Sequence, residues 1–184
     1  MALFDFAVIG INHDHIHGQV KFMLDAGCTF KAFFAPEDAL AEPFGQRFPM
    51  AKRVADKREI LEDPAVKLIV CAGIPGDRAA VGLEAMRHGK DFMVDKPGLI
   101  SFEELAEVRK VQAETRRIYS ILYSEHYEQR STVKAGELVQ AGAIGKVVHT
   151  LGLGPHRIRK DQRPPWFFKR ARYGGILTDI GSHQ

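Results

Sequence analysis

The sequence predicts an α/β protein with a doubly wound parallel sheet, followed by the start of a second α/β domain with an open sheet. Between residues 4 and 123, short apolar runs alternate with amphipathic stretches of helical length. This alternation is typical of right-handed strand–helix–strand units. After residue 123 the alternation stops and a Pro- and Arg-rich stretch follows. We therefore predict a first domain over residues 1–123 and an incomplete second domain over residues 124–184.

Six strands and five helices account for the first domain. We predict that Gly27 caps the C-terminus of the first helix. Ser101 and Glu104 have the spacing of a capping box at the N-terminus of the last helix. The predicted strands are Phe4–Ile9, Phe30–Ala35, Lys52–Ala55, Val66–Ala72, Asp91–Val94 and Ile118–Tyr123. The predicted helices are Ile16–Ala26, Asp38–Phe48, Lys57–Glu62, Arg78–His88 and Ser101–Arg116.

The chain after Tyr123 has too few strands for a sheet of its own. Its pattern predicts a helix over Thr132–Ala141, a turn at 143–145, one alternating strand over Lys146–Leu153 and a helix over Ile176–Gln184. Because a single strand cannot form a stable sheet, we expect the given chain to be cut inside its second domain.

The composition bounds the class of protein. The 184 residues are 45% hydrophobic and 27% charged, with a formal net charge of +3, which does not require a polyanionic partner. Cys28 and Cys71 show neither metal-ligand nor disulfide spacing. The N-terminus does not have the pattern of a signal peptide, and no apolar run approaches membrane-spanning length. We expect a cytoplasmic protein with no membrane partner.

One basic segment needs a separate interpretation. Residues 157–170 interleave arginine and lysine with aromatic side chains, and nucleic-acid binding uses these residue types. No nucleic-acid motif accompanies the segment, and the net charge is mild. A substrate-covering loop or a subunit contact is therefore favoured, and no nucleic-acid partner is expected.

The turn after the first strand is a candidate dinucleotide site of the Rossmann type. A glycine between strand and helix presents free backbone N–H groups and the helix dipole to a pyrophosphate. Gly10 fills the first place of the usual G-x-G-x-x-G pattern, whereas Asn12 and His15 replace the other two glycines. Asn tolerates left-handed backbone angles. His15 conflicts with close packing of helix on strand.

The same turn also raises the question of a metal. His13, Asp14, His15 and His17 offer ligand types that zinc accepts. In neither an extended nor a helical backbone do all four side chains share one face. The sequence therefore favours polar groups that line a cofactor or substrate site, and we predict no metal.

The end of the second strand leaves the choice between NAD and NADP open. A carboxylate there normally accepts hydrogen bonds from the adenosine ribose, but Ala35 occupies the place. Glu37 or Asp38 would serve for NAD if the turn is displaced. No arginine follows immediately for the 2′-phosphate of NADP.

Lys96 is the leading candidate for a catalytic residue. It follows the fifth strand, and Pro97 favours an extended conformation for the residue before it. The ammonium is thereby expected at the carboxyl edge of the sheet, where open α/β folds bind their ligands. Asp179 and His183 are four residues apart, so a helix would place both on one face.

With these elements in order, the chain resembles the Gfo/Idh/MocA oxidoreductases from Phe4 to Gln184. The resemblance implies a Rossmann domain joined to an open-sheet α/β domain, in proteins about twice this length that often pair through that sheet. The motifs that carry it are Gly73-Ile74-Pro75, His88-Gly89-Lys90-Asp91, Asp95-Lys96-Pro97 in place of the usual Glu-Lys-Pro, and Gly175–His183. The departures from the family pattern are Asn12, His15, Ala35 and Arg78.

The resemblance implies an NAD(P)-dependent oxidoreductase that transfers a hydride between the cofactor and a sugar, polyol or similar hydroxylated molecule. Lys96 would stabilise developing alkoxide charge, His183 would accept or donate the proton, and Asp179 would be its partner or a substrate ligand. Glu125 and His126, after the sixth strand, are weaker candidates. The expected cofactor contacts are Gly10, Ile11, Asn12, His13, His15, Ala35, Ile74, Pro75, Asp95 and Lys96. Because the departures fall mainly on these contacts, a cofactor-weak binding or regulatory relative is the alternative.

Overall fold

The computed structural model describes residues 3–154 and 156–183. Its centre is a six-stranded parallel sheet with the order β3-β2-β1-β4-β5-β6, which confirms the predicted doubly wound fold. The strands are β1 Asp5–Ile9, β2 Thr29–Phe34, β3 Lys52–Arg53, β4 Val66–Cys71, β5 Asp91–Asp95 and β6 Tyr119–Leu122. The flanking helices are α1 His15–Asp25, α2 Asp38–Arg47, α3 Arg58–Leu61, α4 Pro75–Arg87 and α5 Phe102–Thr115.

Two apolar layers, one on each face of the sheet, hold it together. Phe6 and Val8 of β1 face the layer that includes Phe30 and Phe44, whereas the alternate residues of β1 face the layer around Phe92. β1 is buried on both faces because it is a central parallel strand. Burial of each such side chain stabilises the fold by about 1.5–3 kcal/mol. The strand order reverses between β1 and β4, so a crevice opens at their carboxyl ends.

Helix ends follow local chemistry. α4 begins at Pro75, three residues before the predicted start, because proline is well suited to the first helical position. The predicted cap at Ser101 is present, since its hydroxyl accepts the Glu104 N–H at 3.1 Å. The Glu104 carboxylate accepts the N–H of Ile100 at 2.7 Å, one residue before the place a capping box would use.

After β6 the chain forms short helices and connecting loops. The prediction of a strand over Lys146–Leu153 is wrong, because none of the strands in the described ranges pairs with this stretch. Val148 is 88% exposed and Leu151 79% exposed, as expected for apolar residues that lack a sheet to pack on. The helices are α6 Ser124–Tyr127, α7 Arg130–Gln140, α8 Arg170–Tyr173 and α9 Ile176–Asp179.

The predicted helix over residues 176–184 is also wrong beyond Asp179. A 3₁₀ turn over Gly181–His183 follows α9, and residue 184 lies outside the described residues, as does residue 155 at the start of the Pro- and Arg-rich stretch. Gly181 has low helix propensity. The Ser182 hydroxyl donates to the Asp179 carbonyl at 3.1 Å and so competes with regular helical bonding.

The segment with α8 and α9 lies against the first domain. Arg172 donates two hydrogen bonds to the Asp77 carboxylate, at 2.5 and 2.6 Å. A Cβ on Gly76 would lie 2.7 Å from the Ala171 carbonyl oxygen, so the glycine permits this close approach. The contact carries Asp179 to the carboxyl edge of the sheet. No helix within the described ranges combines the length and apolar character needed to cross a bilayer.

Candidate active site

Lys96 and Asp179 form a buried ion pair at the end of β5. The Lys96 ammonium donates to Asp179 Oδ1 at 2.7 Å, and the Tyr173 hydroxyl donates to Asp179 Oδ2 at 2.8 Å. Lys96 is 6% exposed and Asp179 8% exposed. The structure therefore joins two of the three residues for which the sequence predicts catalytic roles.

The charge of this pair is set by competing effects. Burial opposes ionisation of Asp179, but the Lys96 hydrogen bond and charge outweigh it and lower the pKa of the carboxyl group. Burial and the hydrogen bond to Asp179 raise the pKa of the Tyr173 hydroxyl. Asp179 is consequently a carboxylate at neutral pH, and Tyr173 is a neutral donor to it.

Arg78 fixes the backbone from which Lys96 projects. Its side chain is fully buried, and one guanidinium nitrogen donates to the three successive carbonyls of Asp95, Lys96 and Pro97 at 2.8, 2.8 and 3.0 Å. Nε donates to the Gly73 carbonyl at 2.7 Å, and the other nitrogen lies 3.2 Å from Asp95 Oδ2. The Lys96–Pro97 peptide is cis. Arg78, one of the departures from the family pattern, thus holds the backbone of the turn that contains Lys96.

Asp95 also links β5 to the glycine turn. His15 Nδ1 lies 2.9 Å from Asp95 Oδ1, and His13 Nδ1 lies 3.7 Å from Asp95 Oδ2. Burial opposes ionisation of Asp95, but the His15 hydrogen bond and the Arg78 charge lower its pKa. For His13, burial lowers the pKa to about 4, with only Asp95 opposing. His13 is therefore neutral, and its Nδ1 accepts the His15 backbone N–H at 3.2 Å.

This cluster contains the ligand types of a metal site, although not the set suggested by the sequence. Potential ligand atoms of His13, His15 and Asp95 lie within 4.8 Å of one another, whereas Asp14 and His17 are not part of the group. The Arg78 guanidinium is bound to the same carboxylate, and the Lys96 charge contributes to lowering the His13 pKa. These two positive charges disfavour the binding of a metal cation. The absence of a metal stays a prediction.

His183 lies beside Glu125. His183 Nδ1 is 2.9 Å from Glu125 Oε2, although the ring is not aligned for a hydrogen bond to it. His126 Nε2 lies 3.0 Å from the His183 carbonyl oxygen. Burial and the Lys96 charge lower the pKa of His183, and Glu125 and Asp179 oppose them. The carboxylate next to His183 is thus Glu125, while Asp179 is bound to Lys96.

The turn between β1 and α1 is closely packed at Gly10, the first glycine of the dinucleotide pattern. Gly10 has a φ of +89°, and a Cβ there would lie 3.0 Å from the Gly73 Cα, so only glycine is compatible with this approach. Asn12 Nδ2 donates to Glu37 Oε1 at 3.2 Å. His15 is the first residue of α1, where its side chain turns towards β5. This arrangement accommodates the residue that replaces the third glycine.

A basic side chain from the neighbouring strand reaches the end of β2, and the sequence does not predict this contact. Arg53, on the neighbouring β3, donates to the Ala35 carbonyl at 3.0 Å and to Asp38 Oδ1 at 2.7 Å. Ala35 is buried and carries no polar side chain. Glu37 therefore supplies the carboxylate near the glycine turn, and Arg53 supplies a cation that is partly neutralised by Asp38.

A cavity of about 870 Å³ lies between part of the glycine turn and the Lys96–Asp179 pair. His13 and His15 line it from the glycine turn, and Lys96, Asp179 and His183 line it from the sheet edge and α9 region. The other predicted cofactor contacts lie around the crevice: Ile11 is buried after Gly10, and Ile74 and Pro75 begin α4. A parallel sheet with a glycine turn at its switch point is the architecture of the dinucleotide-binding α/β proteins.

Comparison with known families agrees with the geometry. Residues 4–123 match the family model described as an oxidoreductase family with an NAD-binding Rossmann fold. Residues 132–184 match the GFO/IDH/MocA C-terminal domain. The chain belongs to the Gfo/Idh/MocA oxidoreductase family, as the resemblance implied, and its N-terminal domain is an NAD-binding Rossmann domain. The division into domains at residue 123 stays a prediction.

Individual relatives span more than this chain does. The crystal structure of a candidate oxidoreductase from Erwinia carotovora atroseptica SCRI1043 is 40% identical with a TM-score of 0.94, over 98% of this chain and 54% of that one. The scyllo-inositol 2-dehydrogenase (NADP(+)) IolW of Bacillus subtilis (strain 168) is 23% identical, over 95% of this chain and 47% of its own. Levoglucosan dehydrogenase in complex with NADH and levoglucosan shares the fold at 20% identity, with a TM-score of 0.84, over 98% of this chain and 51% of that one. The chain thus spans about half the length of the relatives it matches.

Proposed function

We propose that the protein is an NAD(P)-dependent dehydrogenase that acts on a hydroxylated small molecule such as a sugar or polyol. The observation that carries the proposal is the buried Lys96–Asp179 pair, which shares one cavity with His183 next to the dinucleotide turn. Matches to dehydrogenases of inositol and other hydroxylated compounds support this substrate class. The cofactor, when bound, supplies hydride acceptance and donation.

The chain's own residues would orient the substrate and move its proton. Lys96 uses one ammonium hydrogen for Asp179, which leaves two donors for the oxygen of a carbinol or carbonyl. The lowered pKa of His183 keeps its imidazole neutral at neutral pH, so a ring nitrogen can accept the hydroxyl proton. Glu125 lies on the Nδ1 side of the ring, which makes Nε2 the proton acceptor in our proposal, and Glu125 stabilises the imidazolium that results.

The same geometry favours NAD over NADP. Glu37 is held near the glycine turn by Asn12, where its carboxylate would accept hydrogen bonds from ribose hydroxyls and repel a 2′-phosphate. Arg53 could attract that phosphate, but its guanidinium is bound to Asp38 and to the Ala35 carbonyl. We therefore expect NADH to bind more tightly than NADPH.

Titration of the full-length protein with NADH and NADPH, followed by nicotinamide fluorescence, tests the proposal. Binding of either cofactor, with turnover of at least one member of a panel of sugars and polyols, is the expected result. If neither cofactor binds at millimolar concentration, the dehydrogenase function is excluded. That result would favour the alternative function, a cofactor-weak binding or regulatory protein. His15, which stands at the third glycine position and contacts Asp95, would then account for the weak binding of the cofactor.

The proposal extends to the assembly and the location of the protein. Exposed apolar side chains, among them Phe102 at 86% and Leu177 at 84%, support burial against further protein surface in a homo-oligomer. A cytoplasmic location fits the free thiols of Cys28 and Cys71. Sedimentation of the full-length protein would test the oligomer directly.

A further inference from the structure

The cavity that contains Lys96 has a strongly basic wall. Its lining includes Arg157, Arg159 and Arg163, which follow β6 in the chain. None of these arginines forms an ion pair with a carboxylate within residues 3–154 and 156–183. Three guanidinium groups in one wall, none of them in an ion pair within the described residues, create a positive potential that attracts an anion.

The carboxylates of the cavity do not balance this wall. Asp179 is bound to Lys96 at 2.7 Å, and Glu125 lies against His183 at 2.9 Å. Asp14, the remaining acidic residue in the lining, is exposed beside the glycine turn. The charge left over in the cavity is therefore positive.

Arg163 is held in position before any ligand arrives. Its Nε donates to the Ile158 carbonyl at 3.1 Å, and its guanidinium lies 4.4 Å from the centre of the Phe167 ring. Phe167 packs on Tyr173 with ring centres 4.0 Å apart, and Tyr173 donates to Asp179. A chain of contacts thus links Arg163 to the Lys96–Asp179 pair, and within the described part of the chain only Nε of its guanidinium donates a hydrogen bond.

The backbone near this wall is also unusual. Arg159 has a φ of +46°, in the left-handed region that non-glycine residues seldom adopt. A 3₁₀ turn over Lys160–Gln162 follows this residue. Such outliers concentrate at ligand-binding positions, and here the outlier carries one of the three arginines.

From this wall we infer that the substrate carries an anionic group, a carboxylate or a phosphate, bound by Arg163 with Arg157 and Arg159 while its hydroxyl faces Lys96. The inference rests on the proposed function and narrows it from neutral sugars and polyols to hydroxylated acids or phosphate esters. Arginine suits this task because its planar fork binds either anion in a bidentate manner.

Calorimetric titration of the full-length protein with matched compounds tests the inference. The probes are D-glucuronate and D-gluconate against D-glucose and D-sorbitol, with D-glucose 6-phosphate as the phosphate probe, each with and without NADH. We expect at least one anion to bind roughly 10-fold more tightly than its neutral counterpart. The Arg163→Gln variant should lose roughly 10- to 100-fold in affinity for that anion. The stronger of the carboxylate and phosphate responses identifies the group.

Two variants separate binding from folding. Arg157→Gln changes an exposed arginine of the same wall. It should lower the affinity for the anion several-fold without changing the melting temperature. Lys160→Gln removes a charge from the same loop, but Lys160 does not line the cavity, so its anion affinity should be unchanged. Titration without NADH also keeps this test independent of cofactor binding, on which the proposed function depends.

Three results would overturn the inference. One is that no anionic probe binds at millimolar concentration, or that anions bind no more tightly than glucose and sorbitol. Another is that Lys160→Gln weakens anion binding as much as Arg163→Gln, which would indicate non-specific charge attraction. The last is that Arg163→Gln lowers the affinity for NADH by the same factor as the affinity for the anion. This result would mean that the wall binds the diphosphate of the cofactor.

Discussion

The sheet edge around Lys96 and the segment after residue 146 reach the same cavity but are held in different ways. At the sheet edge, buried Arg78 donates to four backbone carbonyls and lies in hydrogen-bond contact with the Asp95 carboxylate. The later segment docks through the half-exposed Arg172–Asp77 pair and through Asp179. Much of its apolar surface, including Val148 and Leu151, is exposed.

This contrast indicates that the sheet edge and the later segment have different roles in the site. The backbone at Lys96 is fixed by contacts within the first domain, whereas its ammonium is paired with Asp179 of the later segment. The positions of Asp179 and His183 depend on docking. A change at the sheet edge should therefore affect folding and chemistry together, whereas a change at the docking contact should affect substrate handling more than cofactor binding.

The largest effect is expected for Arg78→Met. It removes the charge that compensates buried Asp95 and leaves four carbonyls without their donor, so the free energy of unfolding should fall by roughly 3–5 kcal/mol. Urea denaturation measures this loss. Arg87→Met, on the same helix but in an exposed pair with Glu107, is the matched control and should change stability by about 1 kcal/mol or less. Equal losses in the two variants would contradict the role given to Arg78.

Lys96→Met should have the next largest effect, on turnover. Loss of the ammonium removes the donor to the developing alkoxide, and kcat should fall roughly 100- to 1000-fold, by a larger factor than the affinity for NADH. Steady-state kinetics and cofactor titration measure the two quantities. Lys90→Met is the control, because Lys90 precedes β5 and donates to the Asp63 carbonyl, at the opposite end of the strand. Turnover within a few-fold of wild type in Lys96→Met would exclude a catalytic lysine.

These two residues show what the sequence can and cannot predict. Lys96 is predictable because its place depends on a local strand and on Pro97. The role of Arg78 is not, because its acceptors lie at residue 73 and residues 95–97 and meet only when β4 and β5 pair. Arg53 was missed for the same reason, since it reaches Ala35 across the β2–β3 contact. The strand expected at 146–153 fails because alternation reports amphipathic character but does not provide a partner strand.

A smaller effect is expected at the docking contact. Arg172→Gln breaks a half-exposed pair, so stability should fall by about 1 kcal/mol or less. The Michaelis constant for substrate should rise several-fold because α9 is held less firmly, while the NADH dissociation constant is unchanged. Arg170→Gln removes a charge from the same short helix without breaking the Asp77 contact and is the control. A large loss of NADH affinity in Arg172→Gln would show that the later segment also shapes the cofactor site.

The smallest effect is a change in pH dependence from Glu125→Gln. Burial and the Lys96 charge lower the pKa of His183, and Glu125 is one of the groups that raise it. Removal of that negative charge should therefore lower the pKa of His183 further. Because neutral imidazole accepts the proton, the oxidation rate falls as pH drops through this pKa. The acidic limb of the kcat/KM profile should consequently move to lower pH, by less than about one pH unit.

Glu128→Gln is the matched control for this shift. Glu128 lies in the same connection after β6, but it is absent from the groups that set the His183 pKa, so its acidic limb should coincide with that of the wild type. A shift to higher pH in Glu125→Gln would mean that His183 is not the titrating proton acceptor. No shift in a protein that still binds NADH would assign the proton to another group of the cavity, and the docked segment would then supply binding rather than acid–base chemistry.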